Sequence, residues 1–216
     1  MFFLRRMALQ VLVAFVLVQS SFLLPGIASV APAAPLALSP SDRTLLHRGE
    51  IVFKDDLPRA AGAPIGNGGT AVALLHADPE EVWRILTDFA HYASLFPRLA
   101  ESEMVEQAGA RALVRFRVAV GPFSFRFFIN HLVSWENRRI RWHLDRSQSN
   151  DLFLDTWGYW QLDPAPHGLV LVTYAMGSQT VLPSLLTRRS ERDSVVKTVA
   201  ALKARVEQNP ARPEGR

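Results

Sequence analysis

His131, Tyr159 and Tyr174 are the side chains whose type and placement could do chemistry in this sequence. Between Phe123 and Trp135 the apolar residues Phe123, Phe125, Phe127, Ile129, Val133 and Trp135 alternate with Ser124, Arg126, Asn130 and Ser134, and His131 falls in the apolar set. An imidazole in such company could orient a ligand carbonyl or act as a general base. The other reading of a lone histidine among aromatics is a core residue bonded to a neighbour. Tyr159 and Tyr174 could add a hydroxyl to the same space, or serve packing alone. Asp155 is out of phase with Trp160 and so points to the opposite face of its strand.

Other chemistries lack their residues. The chain has no cysteine, which removes thiolate metal sites and cysteine nucleophiles. Its six histidines show no HxxxH or HExxH spacing, so no metal site is expected. Gly62 to Gly69 is glycine-rich but precedes a strand, not a helix, and is no phosphate loop. No serine sits in a G-x-S-x-G elbow. Aromatic and basic residues are not interleaved on one face, which argues against nucleic acid as a partner. No cofactor is implied.

The elements that would position His131 follow from periodicity. Ala112 to Val120 sets Val114, Phe116 and Val118 against Arg115 and Arg117, and Ile140, Trp142 and Leu144 alternate with Arg139, Arg141 and His143. A turn at Gly121-Pro122 places Val118 opposite Phe125 and Phe116 opposite Phe127. A turn at Asn137-Arg138 places Trp135 opposite Ile140 and Val133 opposite Trp142. Both hairpins then gather their apolar residues on one sheet face and arginines on the other. Two further strands, about Leu152–Leu162 and Leu169–Ser178, are joined by turn residues Asp163 to Gly168.

Upstream, Gly49–Phe53 and Thr70–His76 read as strands, and Ala60–Gly69 as a loop. Asp78 is placed as a helix N-cap before Pro79, Glu80 and Glu81, with Val82, Ile85, Leu86 and Phe89 on one face. A short helical turn covers His91–Phe96. A long helix from Pro183 to Gln208 sets Leu185, Leu186, Val195, Val199, Leu202 and Val206 near one face. Helices on one face of an antiparallel sheet make an α+β domain.

Ahead of this domain Arg5 and Arg6 precede an apolar stretch, Met7 to Val18, then Pro25-Gly26 and small residues. That order predicts a secretory signal over 1–29, with an N-terminal anchor as the alternative. Residues 30–48 read as an Ala/Pro-rich spacer, 49–208 as the folded domain and 209–216 as a disordered tail. The expected location is periplasmic or extracellular, with membrane anchoring by the N-terminal segment as the variant. The net charge is +4, and for an exported protein that favours anionic lipid or envelope polymers as contacts. Arg115, Arg117, Arg126, Arg139 and Arg141 on the outer sheet face are the candidates. Glu101 and Glu103 of the preceding strand could instead pair with some of them.

The stretch Ala77 to Phe89 (ADPEEVWRILTDF), His91-Tyr92 through Phe96-Pro97, Gly158-Tyr159-Trp160-Gln161-Leu162 and Val172-Thr173-Tyr174, in that order, resemble the START-like, polyketide cyclase/dehydrase and lipid-transport (SRPBCC) superfamily, nearest its coenzyme Q-binding-like branch. The resemblance spans about Gly49 to Gln208. It implies a helix-grip fold: a curved antiparallel sheet wrapped around a long C-terminal helix, two short helices after the first sheet strand, and a cavity between sheet and helix. It also implies an apolar ligand (lipid, quinone or polyketide-like), and the one-sided apolar sheet, the covering helix and the lack of a catalytic constellation favour holding it without catalysis. The alternative is a cyclase or dehydratase-like enzyme using His131 and a pocket tyrosine. Lining residues are expected at Val114, Phe116, Phe125, Phe127, Ile129, His131, Trp135, Trp142, Trp160, Tyr174, Val199 and Leu202. The same residues would fill a solid core equally well by alternation alone.

Overall fold

Eight strands in the order β1-β2-β8-β7-β6-β5-β4-β3 form one antiparallel sheet, and a 24-residue helix packs across its inner face. The strands are β1 (Val52–Lys54), β2 (Asn67–Leu75), β3 (Leu99–Ala108), β4 (Arg111–Val120), β5 (Phe123–Ser134), β6 (Arg139–Leu144), β7 (Phe153–Ala165) and β8 (Leu169–Thr180). The helices are α1 (Pro40–His47), α2 (Pro79–Thr87), α3 (Tyr92–Leu95) and α4 (Ser184–Glu207), with a 3-10 turn over Phe89–His91 ahead of α3. This computed structural model describes residues 36–57, 66–96, 98–120, 122–181 and 184–208, without the side chains of Val120 and 184–190. The signal or anchor over 1–29, most of the Ala60–Gly69 loop, the placement of Leu185 and Leu186, and the 209–216 tail therefore lie outside the described residues.

The expected helix-grip α+β architecture is the one observed. α2 starts where its residues dictate: the Asp78 side chain accepts a hydrogen bond from the Glu80 N–H at 2.9 Å, and Pro79 opens the helix. Val82 and Leu86 are fully buried, while Ile85 is only half-buried. Along α4, Val195, Val199, Leu202 and Val206 are all fully buried against the sheet. They fall at a spacing of three or four residues, the stripe that a sheet-facing helix needs.

The β4–β5 register is as expected, with Val118 opposite Phe125 and Phe116 opposite Phe127. The β5–β6 register is not. Val133, not Trp135, lies opposite Ile140, and His131 lies opposite Trp142. The turn takes four residues, Trp135 to Arg138, and Arg138 adopts a left-handed φ of 48°. A two-residue turn at Asn137-Arg138 would have needed positive φ at both positions, whereas in the four-residue turn Arg138 alone takes it. A slip of two preserves strand parity, so the apolar set stays on the inner face.

Two other boundaries move. Asp163 to Ala165 continue β7 instead of forming the turn, which contracts to Pro166–Gly168 with positive φ at His167 and Gly168. Pro164 is tolerated there because β6 pairs with β7 only over Trp157–Gln161, so the proline interrupts no ladder on that side. Residues 30–48, read as a spacer, contain α1. Ser39 and Asp42 form a reciprocal capping box, and Lys54 reaches Asp42 at 2.5 Å. Leu36, Leu38, Leu45 and Leu46 then pack on Val52, Val72, Leu74, Leu169 and Leu171, the outer face of the β1-β2-β8 end. The Ala/Pro composition ahead of it masked this helix start. Ser39→Ala should lower stability by about 1 kcal/mol, read from urea midpoints at constant slope.

Candidate functional site: the inner face of the sheet

Strand alternation delivers nine of the twelve expected lining residues to the inner face, α4 supplies two from above, and one, Trp135, escapes. Val114, Phe116, Ile129, Trp160, Val199 and Leu202 are all at most 4 % exposed and join one continuous core. Phe127 and Tyr174 are also buried. Phe125 and Trp142 face inward yet stay half-accessible, as do Phe153 and Met176. Trp135 is the exception. It sits on the β5–β6 turn, 61 % exposed, with its ring edge-on to Trp83 at 5.5 Å.

The inner face is thus graded. Toward the C-terminal end of α4, Ile140, Val172, Val199, Leu202 and Val206 leave no exposed surface. Elsewhere on the same face, Phe125, Trp142, Phe153 and Met176 keep surface that solvent reaches.

The centre of the wall is aromatic. Tyr174 lies 4.2 Å from Trp160 and stacks on Trp142 at 5.4 Å and 22° between planes, while Phe96 of the α3 segment stacks on Trp160 at 6.0 Å. Gly158 makes this possible. It lies opposite Trp142 in β6, and a Cβ there would come 2.3 Å from the Trp142 ring. The Trp142 indole therefore lies flat over bare backbone. The Tyr174 hydroxyl is 3.5 Å from Met176 Sδ and bonds the Thr198 side chain of α4, and burial holds it protonated well above the usual range. Ser178 adds a fully buried hydroxyl that has no hydrogen-bond partner among the described residues. Alternation could have placed Met176 and Ser178 on this face with Tyr174. No local signal marked Gly158 as the floor under Trp142.

His131 is the cross-strand neighbour of Trp142, but its ring contacts are with Phe89, Phe116 and Tyr92. Its ring is 5 % exposed and stands 4.2 Å from Phe89, 6.0 Å from Phe116 and 6.4 Å from Tyr92. Nδ1 has no hydrogen-bond partner among the described residues. Burial pushes its pKa down to about 3, and His143 adds to this while the carbonyls of Ile129 and Ala112 oppose it. The imidazole is therefore neutral at pH 7. The hydroxyl of neighbouring Tyr92 already donates to the Leu86 carbonyl. Tyr159 is on the outer face, where Arg139 lies over its ring at 4.0 Å, so it offers nothing to the inner space. Asp155 is also outside, paired with Arg146 at 2.7 Å. Among the described residues no group of acidic or histidine side chains could hold a metal.

The outer arginines are mostly committed. Arg115 pairs with Glu103, Arg117 with Glu101, and Arg126 lies 3.9 Å from Asp151. Arg141 is different. It flanks Leu132 across the sheet from Arg111, and neither arginine has an ion pair among the described residues. A separate cleft of about 280 Å³ opens between α2, α3 and the end of α4, lined by Glu81, Arg84, Asp88, His91 and Arg205. It contains none of the expected site residues.

Solved structures share this fold at low identity. A STAR-related lipid transfer protein from Xanthomonas axonopodis matches at 17 % identity and a TM-score of 0.55, over 73 % of this chain and 99 % of that one. The Zhui aromatase/cyclase from Streptomyces sp. R1128 matches at 16 % and 0.55, over 68 % and 96 %. A START superfamily protein from Mycobacterium smegmatis matches at 17 % and 0.55, over 64 % and 96 %. Such likenesses speak for the fold alone, since transfer proteins and cyclases share it. No curated protein matches the chain. The family model for polyketide cyclase / dehydrase and lipid transport matches residues 69–207, from β2 to the last residue of α4. With sheet, gripped helix and matched span in agreement, the chain belongs to the polyketide cyclase/dehydrase and lipid transport family.

Proposed function

We propose that the protein binds a hydrophobic small molecule or lipid on the inner face of the sheet, without catalysis, along the wall formed by Phe125, Trp142, Phe153 and Met176. The observation that carries this is the accessible half of the inner wall: Phe125, Trp142, Phe153 and Met176 point inward and still present apolar surface. Apolar walls with few polar atoms are the usual form of a small-molecule site. Here the Tyr174 and Ser178 hydroxyls are the polar atoms, suited to one oxygen on an otherwise apolar ligand. The coenzyme Q-binding-like resemblance makes an isoprenoid quinone the first probe, ahead of fatty acids and polycyclic phenols. Export to the periplasm or exterior by the N-terminal segment belongs to the same proposal.

Against proton transfer by His131 stand its aromatic cage, its unpartnered Nδ1 and its depressed pKa. A general base working at neutral pH needs a pKa near 7. Contact of the outer arginines with anionic lipid rests on Arg111 and Arg141, since the acidic neighbours of Arg115 and Arg117 claim those two.

Mass spectrometry of an organic extract of the purified chain should return a co-purifying lipid or quinone. Added ligand should quench Trp142 and Trp160 emission and raise the thermal midpoint. Finding no extracted molecule and no stabilisation by any quinone, fatty acid or polycyclic phenol would overturn the proposal. Phe125→Asp puts a carboxylate on the accessible wall, where a bound apolar ligand would desolvate it. Affinity in the quenching titration should fall by roughly tenfold or more, with the circular dichroism spectrum unchanged.

A further inference from the structure

The stripe that α4 turns toward the sheet does not stay apolar. Val195, Val199, Leu202 and Val206 continue back at the same spacing to Glu191, which is only 9 % exposed. A carboxylate thus faces inward where valines and a leucine face inward further along. Three contacts fix its level on the sheet. Lys203 Nζ reaches the Leu74 carbonyl at 3.5 Å, Thr198 bonds the Tyr174 hydroxyl, and the Arg192 guanidinium lies over the Phe53 ring at 4.4 Å. That ring covers Gly69, which pairs with Met176. From Thr198 back to Glu191 the helix rises about 10 Å, the length of about three strand residues. Counted from Tyr174 along β8, that length ends at Gly177. Both routes place Glu191 over Met176 and Ser178, at the end of β8.

Ser178 is the other half of this corner. It is fully buried, its hydroxyl has no hydrogen-bond partner among the described residues, and alternation sets it on the inner face with Tyr174 and Met176. Its neighbour across the ladder, Thr156, commits its own hydroxyl to the Gly177 carbonyl at 3.0 Å. A carboxylate only accepts, and its two oxygens offer about four lone-pair positions, which leaves room for a ligand donor beside a protein one. Kept from water, it is costly unless donors meet it. Met176, the next residue along this face, belongs to the accessible apolar wall. An apolar ligand that lies on that wall and reaches Met176 meets an acceptor next.

We infer that Glu191 determines the specificity of the inner-face site, an inference that rests on the binding proposed for that face. With Ser178 it selects a ligand whose apolar body ends in a hydrogen-bond donor, a hydroxyl or an ammonium. A fatty acid is refused, because its carboxylate would meet another carboxylate away from water. Polycyclic phenols qualify. A quinone engages Glu191 only in its reduced, hydroxyl-bearing form.

The test uses probes that share one apolar chain and differ in the head: dodecanol, dodecylamine, 1-methoxydodecane and laurate. Each is titrated into the full chain below its micellar concentration and read by tryptophan quenching. Dodecanol and dodecylamine should bind about tenfold or more tighter than 1-methoxydodecane and laurate. The net charge of +4 favours laurate at long range, so a preference for the amine reports a local carboxylate. Glu191→Gln keeps the size of the side chain and removes its charge. It should weaken the donor-headed probes by about tenfold and narrow their lead over laurate. A larger loss for dodecylamine than for dodecanol would mark an ammonium as the head, and equal losses a hydroxyl. Laurate or the ether binding as tightly as dodecanol and dodecylamine would overturn the inference, and would leave the inner face a site for any apolar chain. So would an unchanged order of affinities in Glu191→Gln with a native circular dichroism spectrum. Binding of none of the probes would remove the inner-face site itself, and this specificity with it. The comparison on the parent chain stands even where the variant does not fold.

Discussion

Gly158→Ala should destabilise the fold by about 3 kcal/mol or more, at the upper end of overpacking in a closed core. An added Cβ would stand 2.2 Å from the Ala175 carbonyl oxygen and 2.3 Å from Cζ2 of Trp142. Neither neighbour can yield cheaply. Ala175 belongs to β8, which pairs with β7 on one side and β2 on the other. Trp142 is stacked on Tyr174 and cannot lift without opening the aromatic wall. Against a total stability of about 5 to 15 kcal/mol, a loss of this size moves the midpoint visibly. Gly109→Asn is the control. Gly109 has a left-handed φ of 57° and nothing within 4 Å of its would-be Cβ, and asparagine tolerates that conformation. Urea melts of the two variants should differ by several-fold in their loss, and Gly158→Ala should also lose the near-ultraviolet dichroism of the Trp142, Tyr174 and Trp160 cluster. Equal, small losses would mean that Trp142 does not lie on Gly158. Adding Trp142→Ala to Gly158→Ala should cost less than Trp142→Ala alone, because the ring contact is already broken.

Gly158 also shows where sequence reading ends. Alternation is local and has period two, so it assigned Val114, Phe116, Phe125, Phe127, Ile129 and Trp142 to the inner face correctly. Parity made that assignment robust even where the β5–β6 register was wrong by two. Only the turn residue Trp135 suffered, since it left the strand altogether. What alternation does not encode is the third dimension of the wall. Which ring lies flat, which stays accessible and which polar atom is left unpaired depend on partners distant in sequence on neighbouring strands, such as Gly158 beneath Trp142 or Met176 beside Gly158. The helix α1 was hidden for another reason. Its capping box, Ser39 and Asp42, follows a run of alanine and proline whose composition dominates any window placed over it. Outer pairs such as Arg117 with Glu101 were legible, because their strands are neighbours in sequence and, between two bulges, Glu101 and Glu103 lie directly opposite Arg117 and Arg115.

Acidification should destabilise the protein through His131 across the interval between its unfolded and folded pKa values. The unfolded imidazole titrates near 6.5, whereas the folded one stays neutral until about 3. Between those values the unfolded state binds more protons, so stability falls as pH falls, by about 1.4 kcal/mol per pH unit from this group. The fall is complete below the folded pKa, where both states are protonated. His143 is also depressed by burial and adds a smaller slope of the same sign. The carboxyls of Asp42, Glu101 and Asp145, held low by their partners, contribute stability that is lost as pH falls below about 4.5. The window from pH 6.5 to 4.5 therefore belongs to the histidines, and a variant isolates His131 within it. His131→Leu removes the group and its unpaired Nδ1 while keeping an apolar side chain among Phe89, Phe116 and Tyr92. Its stability at pH 7 should lie close to that of the parent chain, and at pH 4.5 it should exceed the parent by about 2 to 3 kcal/mol. Superimposable urea-derived stability profiles from pH 7 to 4.5 would show that His131 is not held neutral. A proton-detected titration of the imidazole then reads the same quantity directly: a midpoint near 7 would restore it as a candidate base, and a midpoint below 4 leaves the inner wall a binding surface with no proton to move.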